Sequence, residues 1–178
     1  VVATSDDHAV EATMSCHTYT SIRIEEHILS TNNKTLKNIY QPLERCVCLL
    51  DQNVDNNFGD EIEKYFSHHG VMLEKLVYRA MEIDKALNTV EKILGNFKTL
   101  GVSRNEPILI IGGGVLADIG GLACALYHRN TPYVMIGSSI VSAIDAGPSP
   151  RTCCDGYGYK NLLGSYHCLL YTSDAADE

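Results

Sequence analysis

The residues best able to do chemistry stand in two places. The first is a strand-like run, Pro107 to Ile111, followed at once by Gly112, Gly113 and Gly114 and then by an apolar helix-like run that carries Asp118. Glycines let the backbone come close to a ligand, and a helix starting there offers free N–H groups and the positive end of its dipole. That combination suits a pyrophosphate. The spacing is not G-x-G-x-x-G, and a plain tight turn also explains the glycines. The second place is DAGPSPRTCCDGYGYKNLLGSYH, residues 145–167, rich in Gly and Pro yet carrying Asp145, Arg151, Asp155, Lys160, Asn161 and His167. Its polarity predicts a long irregular segment outside the core, of the kind that holds binding residues. A solvated loop with Arg151 and Lys160 as surface charges is the competing reading.

Both places need a scaffold. CVCLLD, residues 46–51, reads as a buried strand ending at Asp51. Residues 55–69 follow with helical spacing that puts Phe58, Ile62, Tyr65 and Phe66 on one face. A strand over 71–78 leads to an acidic turn, Met81 to Asp84. From Asp84, a plausible cap, the positions Leu87, Val90, Ile93, Leu94, Phe97 and Leu100 recur at three- and four-residue steps, and Gly101 closes the helix. The strand 107–111, a helix with Ile119, Leu122, Ala123 and Leu126 in phase, and a strand from Tyr133 to Ile136 complete the alternation. Strands alternating with helices predict an α/β domain with a parallel sheet. Residues 1–16 show no periodicity and are expected to be a poorly ordered lead, and His17 to Ser30 predicts a strand or hairpin. The tail CLLYTSDAADE, 168–178, has no helix or strand pattern and resembles a translated sequencing adapter. It is expected to be non-native, with no packed role, which leaves 17–167 as the domain.

Composition removes other classes. With 45% hydrophobic and 20% charged residues the chain is globular, and no run approaches an 18-residue apolar span, so a membrane partner is not expected. A net charge of −8 disfavours nucleic acid, whose phosphates need a basic face. The default expectation is a cytoplasmic protein. Cys46, Cys48 and Cys124 lie in apolar runs and read as buried thiols rather than bridges; Cys153 and Cys154 are adjacent, which suits neither a bridge nor a zinc site. His68-His69 reads as a solvated helix end.

Taken in order, these motifs resemble the dehydroquinate synthase-like family of sugar phosphate cyclases, from about Cys46 to His167. The family's nucleotide-binding strand end is matched by Asp51 and Asn53, its E-x-x-K by Glu82 and Lys85, and its GGGxxxD by Gly112, Gly113, Gly114, Val115 and Asp118. A Thr-Thr pair near the cofactor appears as Ser138-Ser139. Asp145 matches the active-site aspartate, Arg151 stands where the family usually has Lys, and Lys160 and Asn161 match a Lys-Asn pair. Arg129 resembles the arginine that reaches toward the partner subunit's phosphate; read alone, it is a charge at a helix end.

The resemblance implies a Rossmann-like NAD-binding half of a two-domain enzyme, working as a homodimer on a small sugar phosphate. In such enzymes NAD takes a hydride from one sugar carbon, phosphate leaves, the hydride returns, and an aldol step closes the ring. The implied catalytic residues are Asp145, Arg151, Lys160, Asn161 and Arg129, with Asp145 and Lys160 also near the cofactor. A divalent metal, zinc or cobalt, is implied for the longer enzyme, held by a Glu and two His of a C-terminal helical domain; none of the seven histidines here matches those ligands. The segment DAGPSPRTC departs from the dehydroquinate synthase pattern D-S-S-V-G-G-K and looks closer to sedoheptulose 7-phosphate cyclases, which make valiolone- or deoxygadusol-type cyclitols. Dehydroquinate synthase and a polyol dehydrogenase of similar fold are the alternatives. The fragment alone is expected to be an inactive NAD-binding module.

Overall fold

The structure is a computed structural model that describes residues 20–167 in full and the backbone of 2–5, 10–13 and 171–174. In chain order its elements are β1 (Val2–Ser5), β2 (Val10–Thr13), β3 (Ser21–Ile24), α1 (Thr35–Tyr40), β4 (Arg45–Asp51), α2 (Gln52–His68), β5 (Met72–Tyr78), α3 (Leu87–Thr99), β6 (Ile108–Gly112), α4 (Gly114–Leu126), β7 (Tyr133–Gly137), β8 (Arg151–Gly156), β9 (Tyr159–Tyr166) and β10 (Tyr171–Asp174). Six strands form one sheet in the order β3-β10-β7-β6-β4-β5, and every pairing in it is parallel.

The expected α/β architecture is present. All five residues of β6 are buried, because helices cover both faces of the sheet and leave no side for polar residues. Alternate residues supply two cores. Val47, Leu49, Ile108, Ile110 and Met135 pack with α3 and α4, whereas Cys48, Leu50, Leu109, Ile111 and Val134 pack with α1 and α2. Cys46, Cys48 and Cys124 are fully buried free thiols, and burial pushes each well above its usual pKa. From β4 the chain crosses outward to β5 and then back past β4 to β6. The two crossovers leave in opposite directions, so the strand order reverses between β4 and β6, which is where open α/β sheets bind ligands.

Several expectations need correction. Helix α2 begins at Gln52 because the Asp51 carboxylate accepts the Asn53 N–H at 2.8 Å; Ile62, Tyr65 and Phe66 are buried, but Phe58 is exposed at a pocket rim. Asp84 does not cap α3. It pairs with Arg79 at 2.7 Å and accepts the Met81 N–H, while Ala86 holds the cap position without a side-chain bond. Leu87 and Leu126 are half exposed, each at the end of its helix, whereas Val90, Ile93 and Phe97 and Ile119, Leu122 and Ala123 are buried as their spacing predicts. Gly101 closes α3 at φ +62°. His69 is half-buried with its ring 4.6 Å from that of Tyr65, so only His68 is a solvated end.

Within the lead, β1 pairs antiparallel with β2. Within the tail, β10 pairs with both β3 and β7, so residues 171–174 do have a packed role that the sequence pattern does not announce: backbone pairing needs no apolar periodicity. Residues 168–170 and 175–178 lie outside the described residues, as do 14–19 at the start of the expected His17–Ser30 strand, of which 21–24 is strand.

The largest correction concerns 145–167. It is not irregular: residues 142–146 form one π-helical turn, and β8 and β9 form an antiparallel hairpin. The hairpin lies on α4 and does supply core, since Thr152 and Cys154 are buried. Its approach depends on Gly121, where a Cβ would stand 2.5 Å from Thr152 Cγ2 and 2.9 Å from Tyr133 Oη. His167 ends the hairpin as a structural residue, its Nε2 2.9 Å from the Thr131 carbonyl and its ring against Tyr133.

Candidate active site

Asp51, Gly112 and Gly137 end β4, β6 and β7 along one edge of the sheet, and the Ser138 N–H donates to the Gly112 carbonyl at 3.0 Å. The three glycines then separate by role. Gly112 faces its own protein, where a Cβ would meet Leu116 Cδ2 at 2.7 Å and Asp51 Cβ at 3.3 Å. Gly113, in extended backbone, occupies the cap position of α4, and no side chain bonds to the helix N–H groups there. A Cβ on Gly113 would meet only Ser139 Oγ at 3.7 Å, and one on Gly114 only Ala146 and Val141 at 3.5 and 3.7 Å. The helix therefore starts uncapped beside open backbone. That cradle fits a pyrophosphate, whose oxygens would take the first-turn N–H groups.

The charged residues gather on the hairpin side. Lys85, 7% exposed, forms a 2.6 Å ion pair with Asp118 and donates to Asn161 Oδ1 at 2.6 Å. Burial opposes its charge, but the Asp118 hydrogen bond and charge outweigh burial and hold its pKa above the ordinary lysine value. Lys160 pairs with Glu82 at 2.8 Å and Arg151 with Asp145 at 3.1 Å, all four exposed. A cleft of about 430 Å³ between α4 and the hairpin is lined by Asp118, Asp145, Arg151, Cys153, Asn161 and Tyr166 among others. Each cation of the cleft region thus already has an acid beside it, and the exposed pairs can open for an anionic ligand at little cost.

Sequence-derived residues fall into three groups. Asp118, Asp145, Arg151 and Asn161 line the cleft, Lys85 joins it through Asp118 and Asn161, the Lys160–Glu82 pair adjoins Asn161 in the hairpin, and Gly113, Gly114 and Val115 lie at the start of the helix that bounds it. Asp51, Asn53, Ser138 and Ser139 lie along the neighbouring strand ends; Ser139 Oγ is 3.1 Å from Ser142 Oγ and helps to hold the π-helical turn. Arg129 stands apart, exposed beyond the far end of α4, a helix about 20 Å long. Among the described residues, no hydrogen bond or ion pair brings it into this cleft. The sequence reading gives Cys153 no place in the site and Asp155, named in the polar segment, no role: Cys153 Sγ lies 3.4 Å from Asn161 Oδ1, and Asp155 accepts the Asn161 N–H. Hairpin alternation from Arg151 to Asp155 could have placed Cys153 on the same face as Arg151. Among the described residues, no group of three or more His, Cys, Asp or Glu side chains is close enough to hold a metal ion, so none of these residues is assigned to one.

A parallel sheet with helices on both faces and a glycine turn at its switch point defines a Rossmann-like α/β domain. The sequence model of the 3-dehydroquinate synthase N-terminal family matches residues 75–172, and the chain belongs to that family. A demethyl-4-deoxygadusol synthase of Trichormus variabilis is 33% identical over 140 residues, 79% of this chain and 34% of its own length. A 2-epi-5-epi-valiolone synthase of Streptomyces albus is 40% identical over 119 residues, 66% of this chain and 29% of its own. The structure of ValA, the 2-epi-5-epi-valiolone synthase of Streptomyces hygroscopicus, has NAD+ and Zn2+ bound; it superposes with a TM-score of 0.87 at 30% identity, over 93% of this chain and 45% of that one. The chain spans about a third of the length of these curated relatives.

Proposed function

We propose that this chain is the NAD-binding part of a sugar phosphate cyclase whose substrate is sedoheptulose 7-phosphate, eliminating phosphate and closing a valiolone- or deoxygadusol-type ring. The observation that carries the reading is the joining of two parts: an open, uncapped glycine turn at the switch point, and beside it a cleft holding Asp118, Asp145, Arg151 and Asn161. The sedoheptulose assignment is supported by DAGPSPRTC at 145–153 and by relatives named for valiolone and deoxygadusol synthesis.

Each side chain has a part consistent with its place. The turn at Gly113 and Gly114 lets the pyrophosphate of the cofactor reach the N–H groups of α4. Lys85, held between Asp118 and Asn161, is a fixed charge in a nearly buried position and orients both partners. Arg151 and Lys160 leave their acids to take the sugar's phosphate, Arg151 through a planar fork that two phosphate oxygens can share. Asn161 adds a donor at that end, and Asp145, released from Arg151, is an acceptor for a sugar hydroxyl. Bound NAD would supply a hydride acceptor that is regenerated within the cycle. Arg129 would serve the site of the second protomer of a homodimer.

The test is phosphate release by the full-length protein on sedoheptulose 7-phosphate. Release without net accumulation of NADH is expected. Stoichiometric NADH would replace the reading with a polyol dehydrogenase, and turnover only of the seven-carbon acid phosphate would replace it with dehydroquinate synthase. The 178-residue chain alone should bind NAD+ yet release no phosphate with zinc added, since its described residues bring no metal-ligand group together.

A further inference from the structure

The two strands of the β8–β9 hairpin are unequal at one point. Cys154 pairs with Leu163 and Gly156 with Tyr159, so Asp155 alone faces Lys160, Asn161 and Leu162. Such a bulge bends its strand and re-aims the side chains on it. Here it sends Lys160 to Glu82 and Asn161 to Lys85, two contacts with a distant segment of the chain. Regular pairing would alternate these neighbours between the two faces of the hairpin. The bulge has a conformational cost, since Asn161 sits at φ +55°, in the left-handed region.

Asp155 is the residue that meets that cost. Its carboxylate accepts the Asn161 N–H at 2.8 Å, its own N–H donates to the Lys85 carbonyl at 2.8 Å, and it forms an isolated parallel bridge with Ala86. One half-buried residue therefore fixes the bulge and ties it to the Lys85 segment. We propose that Asp155 is a positioning residue: by accepting the Asn161 amide it keeps the side-chain carbonyl of Asn161 on Lys85 and sets Lys160 beside Glu82, the resting arrangement that cofactor and an incoming sugar phosphate encounter before Lys160 is released. The proposal rests on the assignment of this cleft as the cofactor and phosphate site. It assigns the role to hydrogen-bond geometry and not to the charge of the carboxylate.

Asp155→Ala and Asp155→Asn separate these roles, because Asn keeps the acceptor oxygen and loses the charge. Two quantities are read: amide exchange at Asn161 by NMR, and NAD+ affinity by calorimetry. In Asp155→Ala the Asn161 amide should exchange at least tenfold faster and NAD+ should bind about tenfold more weakly, the size expected for one hydrogen bond, while β6 amides stay protected. Asp155→Asn should remain within about twofold of the parent in both, the acceptor being conserved. Unchanged Asn161 exchange in Asp155→Ala would overturn the proposal. So would an Asn variant that behaves like the Ala variant, which would show that the charge matters, and this comparison stands even if Ala compromises folding. If the parent binds no NAD+, the functional reading fails by itself, and the exchange data still decide what Asp155 holds.

Discussion

Gly113 and Gly114 differ from Gly112 in their surroundings, and the difference makes them a test of ligand contact. A side chain at Gly112 would press on Leu116 and on Asp51 across the strands, so Gly112→Ala should cost about 1–3 kcal/mol of stability, as overpacking does. Gly114→Ala adds a Cβ that meets only ordinary contacts within the protein. It should leave the melting temperature within a few degrees while weakening NAD+ binding at least tenfold, about 1.4 kcal/mol, in calorimetry. His167 makes a pH-dependent test. Burial lowers its pKa against a smaller opposing effect of the Thr131 carbonyl, so in the fold it takes up a proton less readily than a free histidine. Its Nε2 is bonded, but its Nδ1 is buried without a partner among the described residues, and protonation would put an N–H there with no acceptor among them. The unfolded chain therefore binds the proton more readily, and stability should be full above about pH 6.5 and fall as the pH drops below it. Denaturant midpoints at pH 7.5 and pH 5 should show that loss, and His167→Gln, which can still donate to Thr131, should flatten part of it. His69, also lowered by burial, keeps the rest. At this scale the sequence singled out the residue types suited to chemistry, because glycine runs and paired charges announce themselves by type, and the structure brings several of them near one cleft. The sequence did not reveal which glycine is packed and which is open, since that depends on how Leu116 and Asp51 close on Gly112 in the fold.

At the scale of elements, β4, β6 and β7 were legible because burial on both faces leaves an unbroken apolar run. The β8–β9 hairpin was not. Strand β9 is mostly exposed, so its side chains carry no alternation to read, and it exists only as the register partner of β8. Its support is the small-residue surface of α4. Gly121→Ala, which sets a Cβ against Thr152 and Tyr133, should push the hairpin off the helix at a cost of about 1–3 kcal/mol. Amide exchange should rise across 151–166 with α2 unaffected, and NAD+ affinity should fall because Lys85 loses Asn161. Uniform destabilisation of the whole chain would show that the hairpin and the sheet are one cooperative unit.

Across the whole molecule, the strand order was the least legible property. The βα units around β4 follow from local pattern, but nothing local says that residues near the two ends of the chain pair with each other. Among the described strands, β3 is paired into the sheet through β10, which lies between it and β7. A chain ending at His167 should therefore lose exchange protection at Ser21–Ile24 and keep it in β4 and β6. It would also bare the edge of β7, an unpaired row of backbone groups prone to association.

The same arrangement has a consequence in time. Strands β4 to β7 can assemble as the polypeptide emerges, each joined to its neighbours by a helix, whereas β3 is made early and has no partner until β10 follows. Closing so long a loop is slow compared with local pairing. Refolding should accordingly show two phases, with protection in β6 appearing before protection in β3. During synthesis the first segment of this sheet would be the last to be secured.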